Sequence, residues 1–278
     1  MENIINGLKT NRLFAVYSLL VVLLIIVAMA APVLAPHDPL EAVLKNAYLP
    51  PSAEHFFGTD KLGRDNFSRI LYGGAYSLSS VLLLVTLIFI IGTGLGVLAG
   101  YYGGKLDIVI MRISDMMISF PGMILAIAIA GILGGSLINA MIALIAVTWT
   151  KYARLARSMV LKIKKRDFVE AAIVNGGTTL HILWRHILPN ILPLMVITAA
   201  SDIGAMMMEM AGLSFLGFGS QPPAPEWGLM LNEGRQQLQT APWLMIFPGL
   251  AILITVVIFN LWGDALRDVL DPRQEDDK

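Results

Sequence analysis

The feature that most constrains this chain is a series of long runs without Asp, Glu, Lys or Arg. Leu13 to Leu34 is 22 such residues, Leu78 to Tyr101 is 24, and Met116 to Thr150 is 35. A helix rises about 1.5 Å per residue, so the first run spans about 33 Å, enough for a hydrocarbon core of about 30 Å. The composition agrees: 56% of residues are hydrophobic and only 14% are charged, against about a quarter charged in soluble domains. An ordinary soluble enzyme and a disordered chain are both excluded. Net charge is zero, so no general basic field recruits nucleic acid. With no cysteine, disulfide frameworks, thiol nucleophiles and Cys-ligated metals are excluded as well.

The third run is too long for one span, and Gly134-Gly135-Ser136 divides it. One helix is expected from near Ile108, with Arg112 and Asp115 close to its end, and another from about Leu137 to Arg157. Two more are expected over about Asn190 to Gly217 and Trp243 to Trp262, making six in an all-α membrane protein. Lys9, Arg12 and Ala28-Met29-Ala30 resemble a signal peptide, but the apolar run continues past that point and reads as an uncleaved anchor. Fifteen Lys and Arg fall on the side of the N-terminus, eight of them between Lys151 and Arg185. Five fall opposite: Lys45, Lys61, Arg64, Arg69 and Arg235. The positive-inside rule then puts both termini in the cytoplasm. The expected organisation is an anchor and outer segment over 1–74, a transmembrane domain over 75–266, and a cytoplasmic tail over 267–278.

The basic cytoplasmic loop, about 158–189, carries the strongest local signal. Asp167 to Asn175 can form a short helix, Gly176 its left-handed cap, and Thr178 or Thr179 the start of a second helix running toward Leu188-Pro189. Phe168, Ala171, Ala172 and Val174 are apolar where lipid does not cover them. Two readings fit this spacing: a helix docking into a groove on a soluble partner, or an amphipathic helix lying on the bilayer surface.

Glu170-Ala171-Ala172, Gly176 and Leu188-Pro189 resemble the EAA motif of bacterial ABC-importer permeases, with His186 standing where an isoleucine is usual. Three further stretches resemble the peptide and nickel branch of that family. They are Phe57 to Asp65 followed by Phe67-Ser68-Arg69, Leu213 to Gly219 continuing to Glu226-Trp227-Gly228, and Asn260 to Asp268 with Asp271-Pro272. The resemblance implies the type I ABC-importer transmembrane fold in a bacterial inner membrane. It also implies a second permease subunit, two cytoplasmic ATPase subunits and an extracellular solute-binding protein. Glu170, Ala171, Ala172, Gly176, Leu188 and Pro189 are then the ATPase-coupling residues.

The chain carries no phosphate-binding loop. Gly104-Lys105 is followed by Leu106, and Ala99 stands where the first glycine belongs. ATP and Mg are therefore expected on the partner subunits, with no catalysis and no cofactor in this chain.

Buried ionisable groups in membranes are costly and default to functional candidates. Asp202 and Glu209 are seven residues apart, on one helical face with Met206, and are read either as lining the translocation path or as bonding neighbouring helices. Arg112 and Asp115 are expected to form a local ion pair. Met206, Met207, Met208 and Met210 read as packing residues rather than metal ligands. The four histidines show no ligand spacing, so no metal site is expected. Gly92, Gly96 and Gly100 form a small-xxx-small stripe suited to close helix contact in lipid. Asp202-Ile203-Gly204 with Met206-Met207 tilts the expected cargo slightly to nickel over short peptides, although Ala205 and Glu209 stand where nickel-type members carry histidines. The competing functional class is an ion-gradient-driven secondary transporter, against which the coupling loop and the lack of an inverted repeat both argue.

Overall fold

The computed structural model describes residues 11–270. Lys9, Asp271, Pro272, Arg273 and Lys278, which enter the charge balance or the family match, lie outside the described residues. No strand occurs among the described residues; Thr59 and Asp65 form one isolated bridge.

The helices, in chain order, are α1 (Arg12–Met29), α2 (Ala31–Leu34), α3 (Asn66–Tyr102), α4 (Gly104–Ile118), α5 (Gly122–Leu133) and α6 (Leu137–Ile163). They continue as α7 (Asp167–Val174), α8 (Thr179–Ile182), α9 (Leu188–Phe215), α10 (Trp227–Gly234) and α11 (Trp243–Leu270). Several begin at a polar cap. The Asn11 side chain accepts from the Leu13 and Phe14 amides at 3.1 Å each, Asp65 accepts from Ser68 at 2.8 Å, and Ser136 accepts from Asn139 at 3.1 Å.

Four stretches are long and apolar enough to cross a membrane: α1, α3, the continuous Thr179–Phe215 helix containing α8 and α9, and α11. The third expected span behaves differently. It begins at Gly104 and breaks into α4 and α5, which are bent by 94°. Pro121 explains the break, because it lacks an amide hydrogen and drives the residue before it out of helical geometry. The fourth, α6, matches the expected start at Leu137 and runs on to Ile163. Its second half carries Lys151, Arg154 and Arg157 and is less apolar than the other spans.

The core lies where α3 meets α6 and α9 meets α11. On α3 the glycine stripe does what its spacing suggests. A Cβ on Gly92 would sit 2.6 Å from the Trp149 carbonyl, one on Gly96 2.3 Å from that of Ala153, and one on Gly100 2.8 Å from Val160 Cβ. The two backbones therefore touch along three turns. Helix α1 closes the side of the bundle, with Phe14 buried and Trp262 Nε1 donating to Ser18 Oγ at 3.1 Å. The segment over residues 35–65 folds across one end of the bundle. There Phe57 stacks on Phe247 with centroids 3.9 Å apart, and Trp243 Nε1 donates to the Thr59 carbonyl at 3.3 Å.

Candidate coupling loop and polar clusters

The loop between α6 and α9 folds as its residues suggest. Helix α7 covers Asp167–Val174, Gly176 takes a φ of 80°, and its amide bonds the Ile173 carbonyl at 3.0 Å while that of Gly177 bonds Ala172 at 2.9 Å. These bonds close the helix with a glycine in the left-handed region. A Cβ on Gly176 meets nothing within 4 Å, whereas one on Gly177 would lie 2.7 Å from the Ala172 carbonyl. Conformation alone demands glycine at the first position, and space demands it at the second. Thr178 caps α8 through the His181 amide.

Helix α7 has two faces. Val169 is fully buried against the bundle, and Ala172 is half-buried beside it. Phe168, Ile173 and Val174 point outward at 44%, 47% and 86% exposure, with Glu170 and Ala171 also exposed. Leu180 and Trp184 extend the apolar surface at 66% and 67%. Leu183–Ile187 forms a π turn, a feature common at functional sites. It leads into Leu188-Pro189, so all six candidate coupling residues lie on one short helix–turn–helix stretch.

The second cluster was only partly visible in the sequence. Asp202 is buried, and both its carboxylate oxygens accept from Lys151 Nζ, at 2.6 and 2.8 Å. Tyr152 Oη donates to it at 2.9 Å. Asp202 thus bonds a neighbouring helix through Lys151 and Tyr152 of α6. Glu209 is half-buried two turns on and joins none of these bonds. Met206, Met207 and Met210 are buried in the core, while Met208 is exposed. The expected Arg112–Asp115 pair does not form. Asp115 binds Arg154 of α6, whose Nε donates to Ser114 Oγ at 3.0 Å. Arg157, one turn further, binds Asp107 through two nitrogens. Lys151, Arg154 and Arg157 thus form a ladder on α6, each rung met by an acid from another helix.

A third cluster lies where the 35–65 segment meets α3 and α10. Arg64 and Arg69 are almost completely buried. Arg64 Nε lies 2.6 Å from Asp60 and Arg69 Nη2 lies 2.7 Å from Glu233. Asp60 also lies 3.3 Å from Arg69, and Glu233 3.3 Å from Arg64. Nearby, Glu226 caps α10 by accepting from Gly228 and Leu229 at 2.9 and 2.8 Å. Burial pushes its carboxyl above the ordinary range, against the pull of those two amides. Beside α3, the Trp227 indole donates to the Ile70 carbonyl at 3.0 Å. Glu233 carried no sequence signal, because its partners are more than 160 residues away.

Residues 92–276 match the family described as binding-protein-dependent transport system inner membrane component, and residues 3–51 match the N-terminal TM domain of oligopeptide transport permease C. The chain is 45% identical to the dipeptide transport system permease protein of Alkalihalophilus pseudofirmus, over 96% of this chain and 88% of that one. It is 41% identical to the nickel transport system permease protein of Escherichia coli K12, over 91% and 92%. Against the glutathione transport system permease protein of Pectobacterium atrosepticum it is 46% identical, over 92% and 85%. Its fold resembles that of the MetNI methionine ABC transporter in inward-facing conformations, with a TM-score of 0.55 and 22% identity over 69% of this chain and 92% of that one. The chain belongs to the binding-protein-dependent inner-membrane components of ABC transporters, as a multi-pass inner-membrane permease.

Proposed function

We propose that this permease pairs with a homologous subunit to enclose the translocation pathway of an ATP-driven importer, and that α7 is the element through which ATPase closure moves it. Solute arrives from an extracellular binding protein, and two cytoplasmic ATPase subunits bind ATP and Mg. One observation carries the reading. Val169 anchors α7 to the bundle, while Phe168, Ile173 and Val174 present an apolar face outward beside Glu170. A helix gripped on one side and apolar on the other suits a groove on a soluble partner. Closure of that partner would swing α7 and, through the π turn, tilt α9. Family membership removes the ion-gradient-driven alternative.

The proposed topology has six spans with both termini inside. It counts bent α4–α5 as one span and α6 as another. The acids that meet Lys151, Arg154 and Arg157 make α6 tolerable in lipid. The anchor and outer segment over 1–74, the transmembrane domain over 75–266 and the tail over 267–278 follow from it. A reporter fused after Lys278 that proves extracellular refutes this topology.

The cargo is proposed as a class, short peptide or nickel, the classes named for its relatives. The buried methionines give no support to the tilt toward nickel. Asp202, Met206 and Glu209 remain the residues proposed to face the pathway, with Asp202 paired to Lys151.

The decisive experiment is co-purification with V174D and G176L. The wild-type chain should carry its ATPase subunits through detergent extraction. Val174→Asp places a charge on the exposed face, and Gly176→Leu strains the turn by about 1–2 kcal/mol. Both should lower ATPase recovery and transport. Wild-type recovery and transport in both variants refutes the coupling assignment. Uptake of radiolabelled nickel and dipeptide in cells lacking the chain tests the cargo, and unchanged uptake of both excludes both classes.

A further inference from the structure

Three residues from separate turns of the 35–65 segment converge beside the start of α3. His37 follows α2, His55 lies in the turn before Phe56-Phe57, and Asp65 is the N-cap of α3. Each offers a ligand atom, and all three atoms lie within 4.8 Å of one another. His55 Nδ1 is 2.9 Å from one Asp65 oxygen, and His37 Nδ1 is 3.8 Å from the other. Around a tetrahedral zinc with bonds of about 2.0–2.1 Å, neighbouring ligand atoms stand about 3.3 Å apart, a value between those two distances. Small side-chain movements therefore complete the geometry.

Three independent features point to a cation here. His55 and Asp65 are buried at 5% and 3% exposure, where any unpaired polar atom is costly. His37 Nδ1, one of the converging ligand atoms, is buried without a hydrogen-bond partner, although buried polar atoms are normally satisfied. The cavity onto which the cluster opens, about 270 Å³, is also lined by Asp38, Glu41 and Glu54 against the single cation Lys45, so its lining is net acidic. Asp65 is already oriented by the Ser68 amide and hydroxyl at 2.8 and 2.7 Å. A ligating carboxylate held by further hydrogen bonds is a common feature of metal sites.

We propose that His37, His55 and Asp65 form a binding site for a resident divalent transition-metal ion of the zinc class, clamping the outer segment onto the start of α3. Two imidazoles and a carboxylate select such ions over calcium or magnesium, which prefer all-oxygen shells. On binding, neutral His55 takes the tautomer with its hydrogen on Nε2, so that the Nδ1 lone pair faces the metal and no net proton is released. The site is separate from the coupling loop and the Asp202 cluster, and its test does not use transport.

The test is titration of the full-length chain, purified without a histidine tag in lipid nanodiscs, with zinc sulfate alone, followed by calorimetry and thermal melting. The wild type should bind one equivalent saturably and melt at a higher temperature with zinc. His37→Gln removes a half-exposed ligand and should leave the metal-free melting temperature unchanged. Its affinity should fall at least about tenfold, the smallest loss typical of residues that only support ligands. His55→Gln should do the same, and where it folds poorly, His37→Gln carries the test alone. A His181→Gln/His186→Gln variant, which removes the histidine pair whose rings lie 5.7 Å apart on the coupling loop, should bind like wild type. Absence of saturable wild-type binding overturns the proposal, as does wild-type affinity in His37→Gln or loss of binding only in the His181/His186 variant.

Discussion

Replacing Gly96 by alanine tests whether the α3–α6 seam holds the bundle together. An alanine Cβ there would stand 2.3 Å from the Ala153 carbonyl oxygen, 2.9 Å from the Ala153 carbonyl carbon and 2.8 Å from Ala156 Cβ. Ordinary carbon contacts begin at about 3.5 Å, so the helices must separate by about 1 Å. The obstructing atoms are mostly backbone, and no rotamer change relieves them. Overpacking of this kind costs about 1–3 kcal/mol, a fall of about five- to 150-fold in the folded-to-unfolded ratio. The same separation loosens contacts at Gly92 and Gly100, one turn away on either side, which places the loss toward the upper end. Gly94 supplies an internal control. It lies two residues away on the same helix, and a Cβ there meets nothing within 4 Å. Gly94→Ala should therefore gain the helix-propensity difference of about 1 kcal/mol. Thermal melting of both variants in one detergent, read by fluorescence-detected size exclusion, should move them in opposite directions from wild type. Gly96→Ala melting at or above Gly94→Ala refutes the seam as the basis of packing.

The Lys151–Asp202 pair should behave asymmetrically. Lys151→Met leaves a buried carboxylate with only Tyr152, whereas Asp202→Asn leaves an ammonium whose side chain is 56% exposed, so the lysine variant should melt lower. The double variant should recover part of the loss, with a coupling of about 0.5–3 kcal/mol in a double-mutant cycle, and strict additivity counts against the pair. Glu233→Gln strips one of the two acids from the buried Arg64 and Arg69 guanidiniums. It should cost about 3–5 kcal/mol, and a melting temperature within a degree of wild type refutes that network. Glu226 supplies a pH signature. Its folded-state carboxyl lies above the unfolded value, so its contribution is greatest below the ordinary glutamate range and is lost as pH rises through the folded value. Relative to Glu226→Gln, the wild type should therefore lose stability from acid toward neutral pH, and parallel pH–melting curves refute this assignment.

What could be read from the residues was local or periodic, and what could not was a pairing between distant positions. Leu13 to Leu34 and Leu78 to Tyr101 declare helices because length and apolarity act within one segment. The Gly92-Gly96-Gly100 stripe declares a packing face because a four-residue repeat stays on one side of a helix, though not which helix it meets. Gly176 and Thr178 are legible for the same reason, since caps are written within a few residues. The bend between α4 and α5 falls at Pro121, inside an uncharged run whose length and apolarity give no sign of a break.

The ion pairs are another matter. Asp115 had Arg112 one turn away and chose Arg154, 39 residues distant. Local spacing offers a partner, but helix packing decides which cation reaches the carboxylate with less side-chain strain. The same holds for Asp202 and Lys151, 51 residues apart, and for Glu233 and Arg69, 164 apart. Helix α6 joins the two kinds of information. Its Lys151, Arg154 and Arg157 recur at helical spacing and are legible as a stripe, yet their meaning depends on acids from α4 and α9 that the stripe does not name. Once those acids are in place, the residues that made α6 the least apolar span become the contacts that hold it to its neighbours. A charged stripe at helical spacing inside an otherwise uncharged chain is therefore evidence for acids facing it, and a reason to look for them on other spans before discounting the helix.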